Sequence, residues 1–161
     1  MTNLSYEAIQ AIIAKYQKQA PVNVEGLSAE LKITIHRELG WPDKLCGKIV
    51  KDSSQIEGSG YSIYLNGAHH VNRQRFTLAH EIAHYILHKD SIGDGIADDA
   101  LYRSGLSDAK EFMANKLAAE ILMPSKLVNI KIREGLDTVE KLAEAFNVSV
   151  SAMAIKLGIP S

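Results

Sequence analysis

The chain has 161 residues, 46% of them hydrophobic, and a formal net charge of -1. That length and apolar content suit one compact domain with a real core and exclude a second large one. The balanced charge offers no electrostatic case for nucleic acid or a membrane surface, and the lone cysteine, Cys46, excludes an intramolecular disulfide.

The opening MTNLSYEAIQ lacks the basic and apolar regions of a signal peptide, and the longest apolar runs are too short to span a bilayer. The expected location is therefore the cytoplasm, with Cys46 a small buried side chain. Residues 5–19 carry an apolar stripe of Tyr6, Ile9, Ile12, Ile13 and Tyr16 behind a capping Ser5, which predicts a helix ended by Pro21. Residues 22–31 predict a second helix with Leu27 and Leu31 inward. Ile33, Thr34 and Ile35 begin a first strand, residues 47–51 a second and residues 61–65 a third, before the turn signal Asn66-Gly67. The class is α+β, with a small three-stranded antiparallel sheet packed by helices.

Residues 72–88, NRQRFTLAHEIAHYILH, contain neither Gly nor Pro and follow Asn72, a good N-cap. Within them His80, Glu81 and His84 form H-E-x-x-H. Positions i and i+4 share one face of a helix, so His80 and His84 can address one metal ion. Glu81 is turned about 100° further round the axis, where it can take a proton from water at the site without being a ligand. Neutral imidazoles suit zinc, whose catalytic sites keep one position open. Phe76, Leu78, Ala79, Ile82, Ala83, Ile86 and Leu87 make the rest of this helix apolar, so two histidines and a glutamate buried there need a reason.

Residues 89–105 hold Asp90, Asp94, Asp98 and Asp99 among three glycines and read as a mobile, acidic surface loop; the spacing does not match a calcium-binding EF-hand. Residues 107–122 predict a long helix capped by Ser107 and ended by Pro124. A further helix and two short ones (138–146 and 149–157) close the chain. Residues 1–124 are read as the core and residues 125–161 as a helical, helix-turn-helix-like segment packed on it, in one compact unit.

Two histidines do not complete a zinc site. The H-E-x-x-H-x-x-G-x-x-H extension is absent, since Leu87 and Asp90 occupy its two fixed positions. His88 continues a straight row that cannot easily converge on one ion, and reads instead as a C-terminal residue suited to the helix dipole. A carboxylate from the next long helix is the remaining choice. Glu111 and Glu120 lie nine residues apart, on roughly opposite faces. Ala114 and Ala118 keep the Glu111 face thin, which favours Glu111 as ligand and Asn115 as the residue behind the ligands. The competing reading of Glu111 is a solvated acid in the first helical turn.

RQRFTLAHEIAHYILH followed by EFMANKLAAEILMP resembles the ImmA/IrrE family of bacterial zinc metallopeptidases, and the resemblance extends over nearly the whole chain, including PVNVEGLSAEL and YSIYLNG. It implies a zincin-like domain with zinc on His80, His84 and Glu111, Glu81 as general base and Pro124 closing the ligand helix. Ala83 and Leu117 stand where the family often has Gly and Phe. With nothing after Ser161, the chain resembles the short, mobile-element or prophage type. The implied substrate or partner is an Xre-type helix-turn-helix repressor, cut to derepress phage, mobile-element or stress genes. Tyr61, Tyr64, Tyr85 and Tyr102 are candidate oxyanion partners, and a strand such as 61–65 could pair with an extended substrate.

Two other readings differ in class. The chain could be the toxin of a toxin–antitoxin pair, restrained by an Xre-type antitoxin. The tail could also be a DNA-binding regulator. Residues 125–161 carry Lys126, Lys131, Arg133, Lys141 and Lys156 against Glu134, Asp137, Glu140 and Glu144, a net charge of +1, which offers little to a phosphate backbone. Packing or partner binding, without direct nucleic-acid contact, is the preferred reading of the tail.

Overall fold

The computed structural model describes residues 4–93, 95–99 and 104–160, with Asp99 described in its backbone alone. Helix α1 (Tyr6–Tyr16) starts where Ser5 accepts from the Ala8 amide and buries Ile9 and Ile13. Helix α2 (Val24–Glu30) is capped by Asn23, which accepts from the Gly26 amide. Lys32 then turns the chain in the left-handed region, at φ 62°. The buried Ser28 hydroxyl donates to the Ile33 carbonyl, tying this turn to the entry of strand β1 (Thr34–Glu38).

The sheet departs from the three-stranded antiparallel expectation. It has four strands among the described residues, in the order β1-β3-β2-β4, and β1 pairs in parallel with β3. Strand β2 (Leu45–Lys51) crosses to the far side of β3 (Tyr61–Asn66) and pairs with it antiparallel. Gly40, Trp41, Pro42 and Asp43 turn the chain between β1 and β2, but β2 does not pair with β1, because the chain passes over the place that β3 later fills. Strand β3 has both edges occupied, so it cannot accept a substrate strand as supposed.

The fourth strand lies within the stretch expected to be a mobile acidic loop. A 3-10 turn (Lys89–Ser91) leads toward β4 (Ile96–Asp99), which pairs antiparallel with β2. Ile96 is buried, and Asp98 is fully buried. Alternation puts both on the inner face, and polar composition hid this because one apolar residue among glycines and aspartates is a weak strand signal. Asp94 and Tyr102 lie outside the described residues.

Helix α3 (Val71–Leu87) lies between the sheet and helix α4 (Asp108–Leu122). Its cap is His70, whose Nδ1 accepts from the Asn72 amide, rather than the expected Asn72. Gly47 on β2 lets α3 approach: a Cβ there would stand 2.6 Å from Thr77 Cγ2 and 3.0 Å from the Tyr64 carbonyl oxygen. On the other side, Ala114 and Ala118 of α4 are completely buried, so small side chains set the spacing of the two helices.

Helices α5 (Ser125–Arg133), α6 (Val139–Phe146) and α7 (Val150–Lys156) follow, with α6 and α7 capped by Thr138 and Ser149. Leu127, Val128, Leu142, Phe146 and Met153 join the same core as α1, α3 and the sheet. Arg75 of α3 donates to the carbonyls of Phe146 and Asn147 at the end of α6. These carbonyls are orphaned by the helix end, so the contact satisfies them and fixes the tail to α3. No helix of the described residues is long and apolar enough to cross a membrane.

Candidate metal centre

His80, Glu81 and His84 are each completely buried on α3. The rings of His80 and His84 stand nearly perpendicular, at 87°, with centroids 4.6 Å apart. Helix α4 brings Glu111 to the same point: its Oε1 is 3.0 Å from His84 Nε2 and its Oε2 is 3.4 Å from His80 Nε2. Glu111 is 5% exposed, so it is not a solvated first-turn acid. Ser104 donates to its Oε1 at 3.1 Å.

Each histidine is held from behind. Asn115 Oδ1 lies 2.9 Å from His80 Nδ1, which places an N–H on that nitrogen and turns Nε2 inward. His84 Nδ1 lies 3.0 Å from His88 Nδ1. His88 caps the end of α3 as expected, but burial and the neighbouring His84 lower its pKa. A neutral ring orienting His84 replaces the expected charge on the helix dipole.

Sequence reasoning missed Asp98. Its Oδ1 is 3.3 Å from His80 Nε2 and 3.8 Å from His84 Nε2. The donors of His80, His84, Asp98 and Glu111 all lie within 4.8 Å of one another. Glu120 is elsewhere, as the choice of face required: it accepts from Ser125 and Lys156 and so joins α4 to α5 and α7. Tyr61 and Tyr85 pack edge to face, and Tyr64 stacks on His36.

The electrostatics fit a cation. Among the described residues, both oxygens of Glu81, His84 Nε2, Asp98 Oδ2 and Glu111 Oε2 are buried without a hydrogen-bond partner. Thus His84 and Glu111 are close without hydrogen-bond alignment, as ligands converging on a common point would be. Burial raises Glu81 well above the usual carboxylate range, and the neighbouring Asp98 and Glu111 add to the rise. Burial opposes a charge on His80, yet Asp98 and Glu111 outweigh it and hold its pKa at about 9. Burial likewise opposes ionisation of Asp98, but Glu81, His80 and His84 lower its pKa. Several acids that draw a proton onto a buried imidazole form a donor set suited to a divalent cation.

An α+β fold that sets buried His80, His84 and Glu111 on two packed helices beside a small sheet, with Asp98 joining them, is that of a zincin-like domain. Residues 43–158 match the family model described as the IrrE N-terminal-like domain, and the chain belongs to that family. It is 41% identical over 93 residues to the radiation response metalloprotease IrrE of Deinococcus radiodurans, a match covering 56% of this chain and 28% of that one. Its fold is similar to that of a Mycobacterium tuberculosis transcriptional regulator, at a TM-score of 0.61 and 14% identity, over 96% of this chain and 46% of that one. The chain thus spans less than half the length of either protein.

Proposed function

We propose that this chain is a zinc-dependent endopeptidase with His80, His84 and Glu111 as metal ligands and Glu81 as general base. The observation that carries this reading is the convergence of His80 Nε2, His84 Nε2 and the Glu111 carboxylate, with both Nδ1 atoms tied back by Asn115 and His88. Bound there, zinc supplies Lewis acidity to a peptide carbonyl and acidifies a water molecule. The chain's own residues do the rest. Glu81 takes the proton of the attacking water and hands it to the departing amine. Asn115 and His88 fix the imidazole orientations, and Ser104 holds the Glu111 carboxylate.

The substrate we infer is an Xre-type helix-turn-helix repressor, and the family resemblance of the paired motifs supports it. The DNA-binding alternative is disfavoured because residues 125–161 carry a net charge of only +1, which offers little to a phosphate backbone. The test is co-incubation with an Xre-type helix-turn-helix repressor, with zinc or chelator, reading fragments by mass. Zinc-dependent fragments that vanish with Glu81→Gln support the protease. Tight binding without fragments, with toxicity on expression abolished by Glu81→Gln, would support the toxin reading instead.

A further inference from the structure

We propose that β4 is a built-in occupant of the peptide cleft, lying along the edge of β2 where an extended substrate would pair and using Asp98 to fill the metal position that catalysis needs open. The inference rests on the metallopeptidase reading above.

Among the described strands a peptide has two places to lie: the outer edge of β1, or the β4 side, where it would pair with the outer edge of β4 or take the place of β4 on β2. Strand β3 is enclosed by β1 and β2, and β1 is separated from β2 by β3. Strand β2 runs beneath α3: Gly47 lies against Thr77, about one helical turn before His80 and Glu81. A strand paired to β2 at Gly47 therefore passes the metal centre. In this structure that strand is β4, and the residue in register with Gly47 is Asp98. Adding an extended peptide to a sheet edge is a common recognition mode. Here the chain makes that addition to itself.

Asp98 is aimed at the chemistry. The ladder between β2 and β4 shifts register between Leu45 and Gly47, leaving Cys46 as the extra residue. Such bulges re-aim side chains beside active sites. The result is a completely buried carboxylate whose Oδ1 reaches toward both histidine Nε2 atoms. With Asp98, four side chains surround the point where three protein ligands and an open position would serve catalysis.

The strand is lightly built. It has four residues, and Ile96, 5% exposed, is its buried apolar anchor. Gly93 and Gly95 precede it with φ of 52° and 152°, backbone conformations that suit glycine. Short elements with few buried contacts open at low cost. An incoming peptide can therefore exchange with β4 on β2, and lifting β4 frees the metal position.

The test uses the full chain loaded with cobalt(II), titrated with acetohydroxamate and read by visible absorption. An internal competitor lowers apparent affinity by the fraction of open protein, so Asp98→Ala should bind the hydroxamate at roughly tenfold lower concentration or better. Ile96→Ser removes the anchor without removing a donor; it should move in the same direction with cobalt affinity close to that of the unaltered protein. Ile96→Val serves if the serine variant does not fold, with a smaller shift. Amide exchange across 96–99 should rise when hydroxamate binds the unaltered protein. An unchanged cobalt spectrum in Asp98→Ala overturns Asp98 as a ligand. Unchanged hydroxamate affinity in folded Ile96 variants overturns the displaceable strand and leaves Asp98 a permanent fourth ligand. Failure of the metallopeptidase reading is distinct: cobalt would then survive replacement of His80 and His84 by Ala.

Discussion

His84 and His88 meet through their Nδ1 atoms at 3.0 Å, so one ring must donate and the other accept. Burial keeps His88 toward its neutral form. It can then accept from His84 Nδ1–H and leave His84 Nε2 for a metal. His88→Ala should therefore fold normally and lose roughly 10- to 100-fold in zinc affinity, the usual cost of removing such a partner. Competition with a chelator measures it, and His88→Gln, which restores an acceptor, should recover part of the loss.

Glu81, Glu111 and Glu120 should fail in three different ways. Glu81→Gln should keep zinc while peptide cleavage falls on the order of 10²–10⁴. Glu111→Gln should lose zinc affinity and, with it, activity that added zinc partly restores. Glu120→Gln should leave zinc alone but weaken the join to Ser125 and Lys156, lowering stability. Metal content, cleavage rate and denaturant midpoint separate the three.

Without metal, His80 has its pKa raised from 6.5 to about 9. A raised folded-state pKa favours the protonated protein. That stability is fully present below the unfolded value near 6.5 and is lost as pH rises through about 9. The chelated protein should thus lose stability across that window. Zinc must displace the same proton, so its apparent affinity should climb over the same window and level off above it. Denaturant titrations with and without zinc, at a series of pH values, check both signs.

Gly47 should be intolerant of a side chain because Thr77 Cγ2 and the Tyr64 carbonyl already crowd its position. Gly47→Ala should cost about 1–3 kcal/mol through overpacking. Thr77→Ser removes the nearer obstacle, so the double variant should be more stable than Gly47→Ala alone. Equal denaturant midpoints would mean that the backbone, not Thr77, sets the limit.

The sequence by itself determined what is local or periodic. An uninterrupted apolar run carrying H-E-x-x-H places His80, Glu81 and His84 on one helix, because the 3.6-residue period leaves little freedom. Nine-residue spacing separates Glu111 from Glu120 by the same geometry. Ser107, Thr138 and Ser149 each mark a helix start because a side-chain oxygen can satisfy an amide that the helix cannot. Only the tertiary structure decided the sheet order, the parallel pairing of β1 with β3, and the partners of His84 and Asp98. Strand order depends on which edge remains open when each strand arrives, and the turn residues before β2 do not encode that. Asp98 is the clearest case. Its neighbours read as a solvated loop, and only pairing with β2 turns a surface acid into a fully buried carboxylate facing two histidines.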